Sequence, residues 1–143
     1  MATRKFQIYR GDHNNGELVH FETEVKESMV VLDVIHKIQA EQANDLAIRW
    51  NCKAGKCGSC SVEINGKPKL SCMTRMNEYG PNETIIVTPM KTFPIIKDLV
   101  TDVSWNYTQN KRIKQVKLAP ESKTDKGYVM YQEDVDRVQE FRK

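Results

Sequence analysis

Four cysteines are the residues of this chain best placed to do chemistry. Cys52, Cys57 and Cys60 crowd the stretch "NCKAGKCGSC", residues 51–60, and Cys72 follows after a further eleven residues. The spacing is Cys, four residues, Cys, two residues, Cys, eleven residues, Cys, and the 143-residue chain holds no other thiol. Gly55 and Gly58 punctuate the loop. Arg49, Lys53, Lys56, Lys67, Lys69 and Arg75 surround it, against Glu63 and Glu78. Thiols gathered this densely either pair with one another or bind metal.

Three chemistries compete. An even number of cysteines permits two disulfides, but nothing else in the chain reads as secreted, and it is long enough to build a core without covalent staples. Cysteines two residues apart in a turn are also poorly placed to bridge. Structural zinc accepts four thiolates. It usually takes them as two close pairs, and only one C-x2-C is present here. The third reading is a plant-type [2Fe–2S] cluster, whose pattern is C-x4-C-x2-C followed by a distant cysteine. The close part of that pattern is met in full. A loop that wraps such a group must turn sharply and aim backbone N–H groups at sulfur, and Gly55 and Gly58 permit both. The basic neighbours suit an anionic cluster. The third reading is the favoured one, with zinc kept open.

The elements that must hold these thiols read as a small α+β domain. "RKFQIYR" (4–10) alternates, with Phe6 and Ile8 on one face, and "LVHFETEV" (18–25) alternates with Val19, Phe21, Thr23 and Val25 together. The turn material "GDHNNG" between them predicts a hairpin. "VVLDVIHKIQAEQ" (30–42) shifts to a period of three, with Leu32, Ile35 and Ile38 in an apolar stripe beside Val31. This predicts an amphipathic helix, capped by Ser28. "LAIRW" (46–50) reads as a short strand entering the cysteine loop. Asn65-Gly66 predicts a tight hairpin. "ETIIVTP" (83–89) reads as a central strand, and "FPIIKDLVTD" (93–102) as a short helix with Pro94 in its first turn.

Composition narrows the class. Apolar residues make up 39% and charged residues 29%, and the formal net charge is +3. That balance suits one globular domain and calls for no nucleic acid. No apolar run approaches the roughly 18 residues a membrane helix needs. "MATRKFQIYR" lacks the apolar core of a signal peptide, so a reducing compartment is expected. From residue 106 the character changes. "NYTQNKRIKQVKLAPESKTDKG" is polar and basic and reads as a linker unable to fold alone. "EDVDRVQEFRK" then sets Val135, Val138 and Phe141 on one helical stripe. The expected division is a first domain over 1–105, then a linker and helix over 106–143.

At "RWNCKAGKCGSCSVEINGKPKLSC" the chain resembles the N-terminal domain of the iron–sulfur subunit of succinate dehydrogenase and fumarate reductase. "MVVLDVIHKIQ" and "TPMKTFPIIKDLVTD" are similar to that family as well. The resemblance implies a β-grasp ferredoxin-like fold, and Cys52, Cys57, Cys60 and Cys72 as the [2Fe–2S] ligands. It implies a second helical domain carrying [4Fe–4S] and [3Fe–4S] clusters, expected to begin just past Lys143, so that this chain is a shortened subunit. The implied function is electron transfer in the tricarboxylic acid cycle enzyme or its fumarate-reducing counterpart. Single electrons pass between the FAD of a flavoprotein subunit and the later clusters and quinone.

The resemblance also implies a peripheral place on the inner, cytoplasmic face of the cell membrane, with anchor subunits met through the missing domain. It assigns no acid–base or nucleophilic step to any residue here. Succinate is a weak reductant, so a relay near the roughly −400 mV of plant-type ferredoxins would face a steep uphill step. The loop amides, Gly55, Gly58, Ser59, Ser61 and Arg49 are the candidates for raising the potential, although Arg49 reads equally as a surface charge at a strand end. A free-standing ferredoxin and a zinc-stapled interaction module stand as the alternatives. His13, His20 and His36 are scattered and read as ordinary surface residues. Trp50 is a candidate shield for the cysteines or a core residue, and Trp105 and Tyr107 either close the core or meet a partner.

Overall fold

The computed structural model describes residues 2–113, 123–125, 127–128, 131–133 and 135–136. The chain divides into two units, Met1–Val103 and Ser104–Lys143. The cut falls two residues ahead of the expected one.

The first unit is a five-stranded sheet in the order β2-β1-β5-β3-β4. Strands β1 (Ala2–Gly11) and β2 (Gly16–Val25) form the long antiparallel hairpin, with Phe6 opposite Phe21 and Ile8 opposite Val19. Alternation places Phe6, Ile8, Phe21, Thr23 and Val25 inside, as the two-residue period requires. Strand β5 (Ile85–Thr88) lies at the centre, parallel to β1 and antiparallel to β3. Strands β3 (Ser61–Ile64) and β4 (Lys67–Leu70) make the second hairpin. Its turn is Asn65-Gly66, with φ of 49° and 75°, the left-handed pair that this dipeptide favours. Pro68 is tolerated because β4 is an edge strand.

Helix α1 (Val31–Glu41) crosses the sheet and buries Val31, Leu32, Val34, Ile35 and Ile38. At about 1.5–3 kcal/mol for each large apolar side chain removed from water, this stripe anchors the helix far more strongly than its propensity does. The cap differs from the expected Ser28. Val30 is the N-cap and offers no side-chain acceptor. The Asp33 carboxylate takes the Val30 N–H, while Val31 N donates to Thr74 O at 2.9 Å and Leu32 N to Ser71 O at 3.0 Å. The free amides of the first helical turn are thus satisfied by the turn that carries Cys72.

Two further expectations are corrected. The 93–102 segment is a β-hairpin and not a helix, with β6 (Ile95–Lys97) paired to β7 (Val100–Thr101) through a bulge. Its β-branched residues suit a strand, and Asp98 turns the chain at a φ of 51°. The 46–50 segment joins no ladder. It is stitched instead to that hairpin's turn, with Ala47 N donating to Asp98 Oδ2 at 2.8 Å and Leu99 N to Ala47 O at 3.2 Å. Asp98 is 1% exposed and also receives Gly11 N and Arg10 Nε. One carboxylate therefore ties the end of β1, the approach to the cysteine loop and the β6–β7 hairpin together.

In the second unit, Ser104–Arg112 forms helix α2, which corrects the linker that the sequence predicts from residue 106. Thr108 Oγ1 donates back to Ser104 O within it. Strands β8 (Lys123–Thr124) and β9 (Gly127–Tyr128) form a short antiparallel pair. Of the expected stripe, Val135 is half-buried, and Val138 and Phe141 lie outside the described residues. No helix among the described residues is long and apolar enough to cross a membrane.

Candidate metal centre

The cysteine loop runs from the end of the 46–50 segment to the start of β3, and Cys72 sits in the turn after β4. The turn is fixed to the loop, since Ser71 N and Ser71 Oγ both donate to Cys60 O. Beneath it Leu32, fully buried at the start of α1, packs with Cys60 and Cys72, bordered by Val30, Ile48 and Leu70. Two thiols are thus floored by apolar side chains, while Cys52 and Cys57 are exposed.

The backbone aims its donors at sulfur. Ala54 N, Lys56 N and Cys57 N point at Cys52 Sγ at 3.3, 3.4 and 3.4 Å, and Ser59 N points at Cys57 Sγ at 3.4 Å. This folding requires left-handed backbone at Lys53, Gly55 and Gly58, with φ of 51°, 69° and 74°. Gly55 is needed for space as well. A Cβ there would lie 2.9 Å from Met73 Cγ and 3.0 Å from Met73 Sδ, whereas a Cβ at Gly58 would meet nothing.

The thiols sense one another. Hydrogen bonds pull the Cys57 thiol down to about 6, first from the Ser59 side chain, then from the Cys52 and Ser59 backbone and the Cys52 thiol. Burial pushes the Cys72 thiol up, helped by the Cys60 thiol and by the charges of Cys60 and Cys52, against a Gly55 amide that lowers it. The four predicted thiols are therefore brought into one neighbourhood, Cys52 and Cys57 exposed, Cys60 and Cys72 recessed.

The surrounding candidates separate. Ser59 does touch a thiol. Ser61 does not: its hydroxyl donates to Gly58 O at 2.6 Å, bracing the loop's own backbone. Arg49 Nη1 donates to Thr101 O at 2.7 Å, so its guanidinium holds β7. Lys53 folds back over the Trp50 ring, 4.9 Å from its centroid, with Asp33 at 3.8 Å. Trp50 is half-exposed, edge-on to His36 at 5.0 Å, and is not a core residue. Trp105 and Tyr107 are exposed. The pattern of residue types did not foretell Met73, Ser71 or the α1 amides. Their parts follow from the close packing of the 70–74 turn against the loop and helix.

Among the described residues no three His, Cys, Asp or Glu side chains close around one metal ion. A [2Fe–2S] group asks for a different arrangement, with two protein ligands on each of two irons. Four neighbouring thiols and amide donors aimed at sulfur fit such a group.

Comparison with known proteins agrees. Residues 5–108 match the family described as "2Fe-2S iron-sulfur cluster binding domain". The fumarate reductase iron–sulfur subunit of Mycobacterium tuberculosis is 40% identical over 84 residues, covering 59% of this chain and 34% of that protein. The succinate dehydrogenase iron–sulfur subunit of Paracoccus denitrificans is 33% identical over 135 residues, covering 92% and 51%. A chain of the Mycobacterium smegmatis Sdh1 complex superposes with a TM-score of 0.87 at 53% identity, over 99% of this chain and 59% of that one. The chain thus spans a third to three-fifths of the length of these relatives. With the family match covering most of the sequence and the thiols gathered in its loop, this chain belongs to the 2Fe-2S iron–sulfur cluster binding domains, of the kind carried by succinate dehydrogenase and fumarate reductase iron–sulfur subunits.

Proposed function

We propose that this chain is the [2Fe–2S] part of the iron–sulfur subunit of a succinate dehydrogenase or fumarate reductase, with Cys52, Cys57, Cys60 and Cys72 as the ligands. In this role it relays single electrons between the FAD of a flavoprotein subunit and later clusters and quinone. The observation that carries the reading is the set of four thiols in one neighbourhood, with Cys52 Sγ facing three backbone N–H groups. A [2Fe–2S] cluster, when bound, supplies one-electron transfer at near-constant geometry.

The chain's own residues set the conditions for that transfer. Amides of Ala54, Lys56, Cys57 and Ser59 donate to ligand sulfur and so spread negative charge, which favours the reduced state and raises the potential. The apolar floor of Leu32, Val30, Ile48 and Leu70 keeps water from Cys60 and Cys72. The exposed side of the loop, with Cys52 and Cys57, is the side on which a flavoprotein would approach. The [4Fe–4S] and [3Fe–4S] centres belong, in this reading, to a further domain, through which membrane anchor subunits hold the assembly peripherally at the inner face of the cell membrane.

A redox titration of the chain reconstituted with iron and sulfide, followed by electron paramagnetic resonance, tests this. One unpaired spin per chain on reduction, with a midpoint well above the roughly −400 mV of plant-type ferredoxins, is the expected result. A midpoint at or below that value would remove the relay from reach of succinate.

A further inference from the structure

A cavity of about 430 Å³ lies in the first unit, lined by Arg4, Val25, Lys26, Glu27, Met76 and Tyr79 among others. None of these is a cysteine or touches one of the bonds described above at the thiols. The size is that of a small-molecule site. Its wall contains a charge without a counter-charge. Arg4 is 8% exposed, and its hydrogen bonds among the described residues run from Nη2 to two neutral carbonyls, Met76 O at 3.5 Å and Tyr79 O at 2.9 Å. Its Nε is shut away from water and has no partner. None of the ion pairs among the described residues involves it.

A buried cation is ordinarily paired, because two carbonyl dipoles do not replace the hydration it gave up. Arg10 illustrates the ordinary case in this same unit, with Asp98 and Asp45 on its guanidinium. Arg4 has no such partner. Glu27 lines the cavity without pairing to it, and Lys26 offsets Glu27, so Arg4, Lys26 and Glu27 together leave one positive charge in excess.

We propose that this cavity binds a small carboxylate, with the Arg4 guanidinium as the charge that holds it and Lys26 at its mouth. The fork of an arginine matches the two oxygens of a carboxylate. Binding here needs nothing of the cysteine loop, so this site stands or fails apart from the relay.

The test is an amide-shift titration of the full chain carrying its cluster, with acetate as the probe and chloride at equal ionic strength as the control. Saturable shifts confined to residues 2–4, 25–27 and 76–79, absent with chloride, are expected. A four-atom ligand sets the dissociation constant at roughly 1–10 mM. Arg4→Lys should weaken acetate about tenfold, since it keeps charge but loses the fork. Arg4 is buried, and its replacement can cost the fold. Lys26→Glu is exposed and should weaken acetate on the order of threefold with the fold intact. No saturation by acetate, equal shifts with chloride, or unchanged affinity in Lys26→Glu and a folded Arg4→Lys would overturn the proposal.

Discussion

Replacing Asp98 tests how the approach to the cysteine loop is held. The carboxylate accepts Gly11 N at 2.9 Å and Arg10 Nε at 3.2 Å on one oxygen, and Ala47 N at 2.8 Å on the other, in a 1% exposed position. Asp98→Ala removes all three bonds and strips Arg10 of its buried partner, a loss of about 3–5 kcal/mol. The left-handed backbone at this position adds about 1 kcal/mol, since alanine lacks the local hydrogen bonding that lets Asp and Asn sit there. The total approaches the whole stability of a small domain, roughly 5–15 kcal/mol. Asp98→Asn is the sharper probe. It tolerates the backbone and keeps one acceptor oxygen, but its amide must turn a donor toward either Ala47 N or Gly11 N. One amide then loses its partner, at about 2 kcal/mol.

The assay is native-state hydrogen exchange of those two amides. A loss of about 2 kcal/mol accelerates exchange roughly thirtyfold where opening is local. We expect one of Gly11 and Ala47 to exchange that much faster in Asp98→Asn, with the other and the amides of β5 little changed. Because Ala47 stands five residues before Cys52, the variant should also lose its cluster faster than the wild type on dilution into chelator. Exchange unchanged at both amides, or an increase spread evenly over the sheet, would refute the latch.

Gly55→Ala and Gly58→Ala share a positive φ, so each should cost about 1–2 kcal/mol, and only Gly55→Ala should be relieved in part by adding Met73→Ala; denaturant midpoints of the four variants decide this. In the cluster-free chain iodoacetamide should take Cys57 first and Cys72 last. The lowered Cys57 thiol is mostly thiolate above its value of about 6, so its alkylation rate should climb through that pH and level off by about pH 7, about three units below where an ordinary thiol of 9.0 would level off. Leu32→Ala opens the floor under Cys60 and Cys72 and should cost about 2–5 kcal/mol, with faster loss of visible absorbance from the reconstituted chain; a stability change under 1 kcal/mol would contradict the packing described.

Much of the frame was legible before any coordinates. Period-two alternation at Phe6, Ile8, Phe21 and Val25, the stripe of α1 and the Asn65-Gly66 turn each report a local rule that the tertiary structure upholds. The grouping of thiols was legible because three of them share one loop. Other features depend on contacts distant in sequence. Ser28 looked like the cap, yet the α1 amides are met by carbonyls some forty residues on, at Ser71 and Thr74. The 93–102 segment carried both a proline suited to a helix start and β-branched residues suited to a strand. The decision came from Asp98, whose partners at Arg10, Gly11 and Ala47 no local window contains. Ser61 and Arg49 were sensible tuning candidates by proximity in sequence, but their donors are taken by Gly58 O and Thr101 O.

The measurement that bears most directly on the central claim is the content of iron, zinc and acid-labile sulfide per chain, in anaerobically purified protein and after reconstitution. It should be made on the wild type and on Cys52→Ser, Cys57→Ser, Cys60→Ser and Cys72→Ser. The account predicts about two irons and two sulfides per wild-type chain, a visible spectrum that bleaches on one-electron reduction, and loss or marked instability of the cluster in each variant. One tightly held zinc that iron and sulfide cannot displace, or a cluster indifferent to the loss of one of the four cysteines, would contradict it.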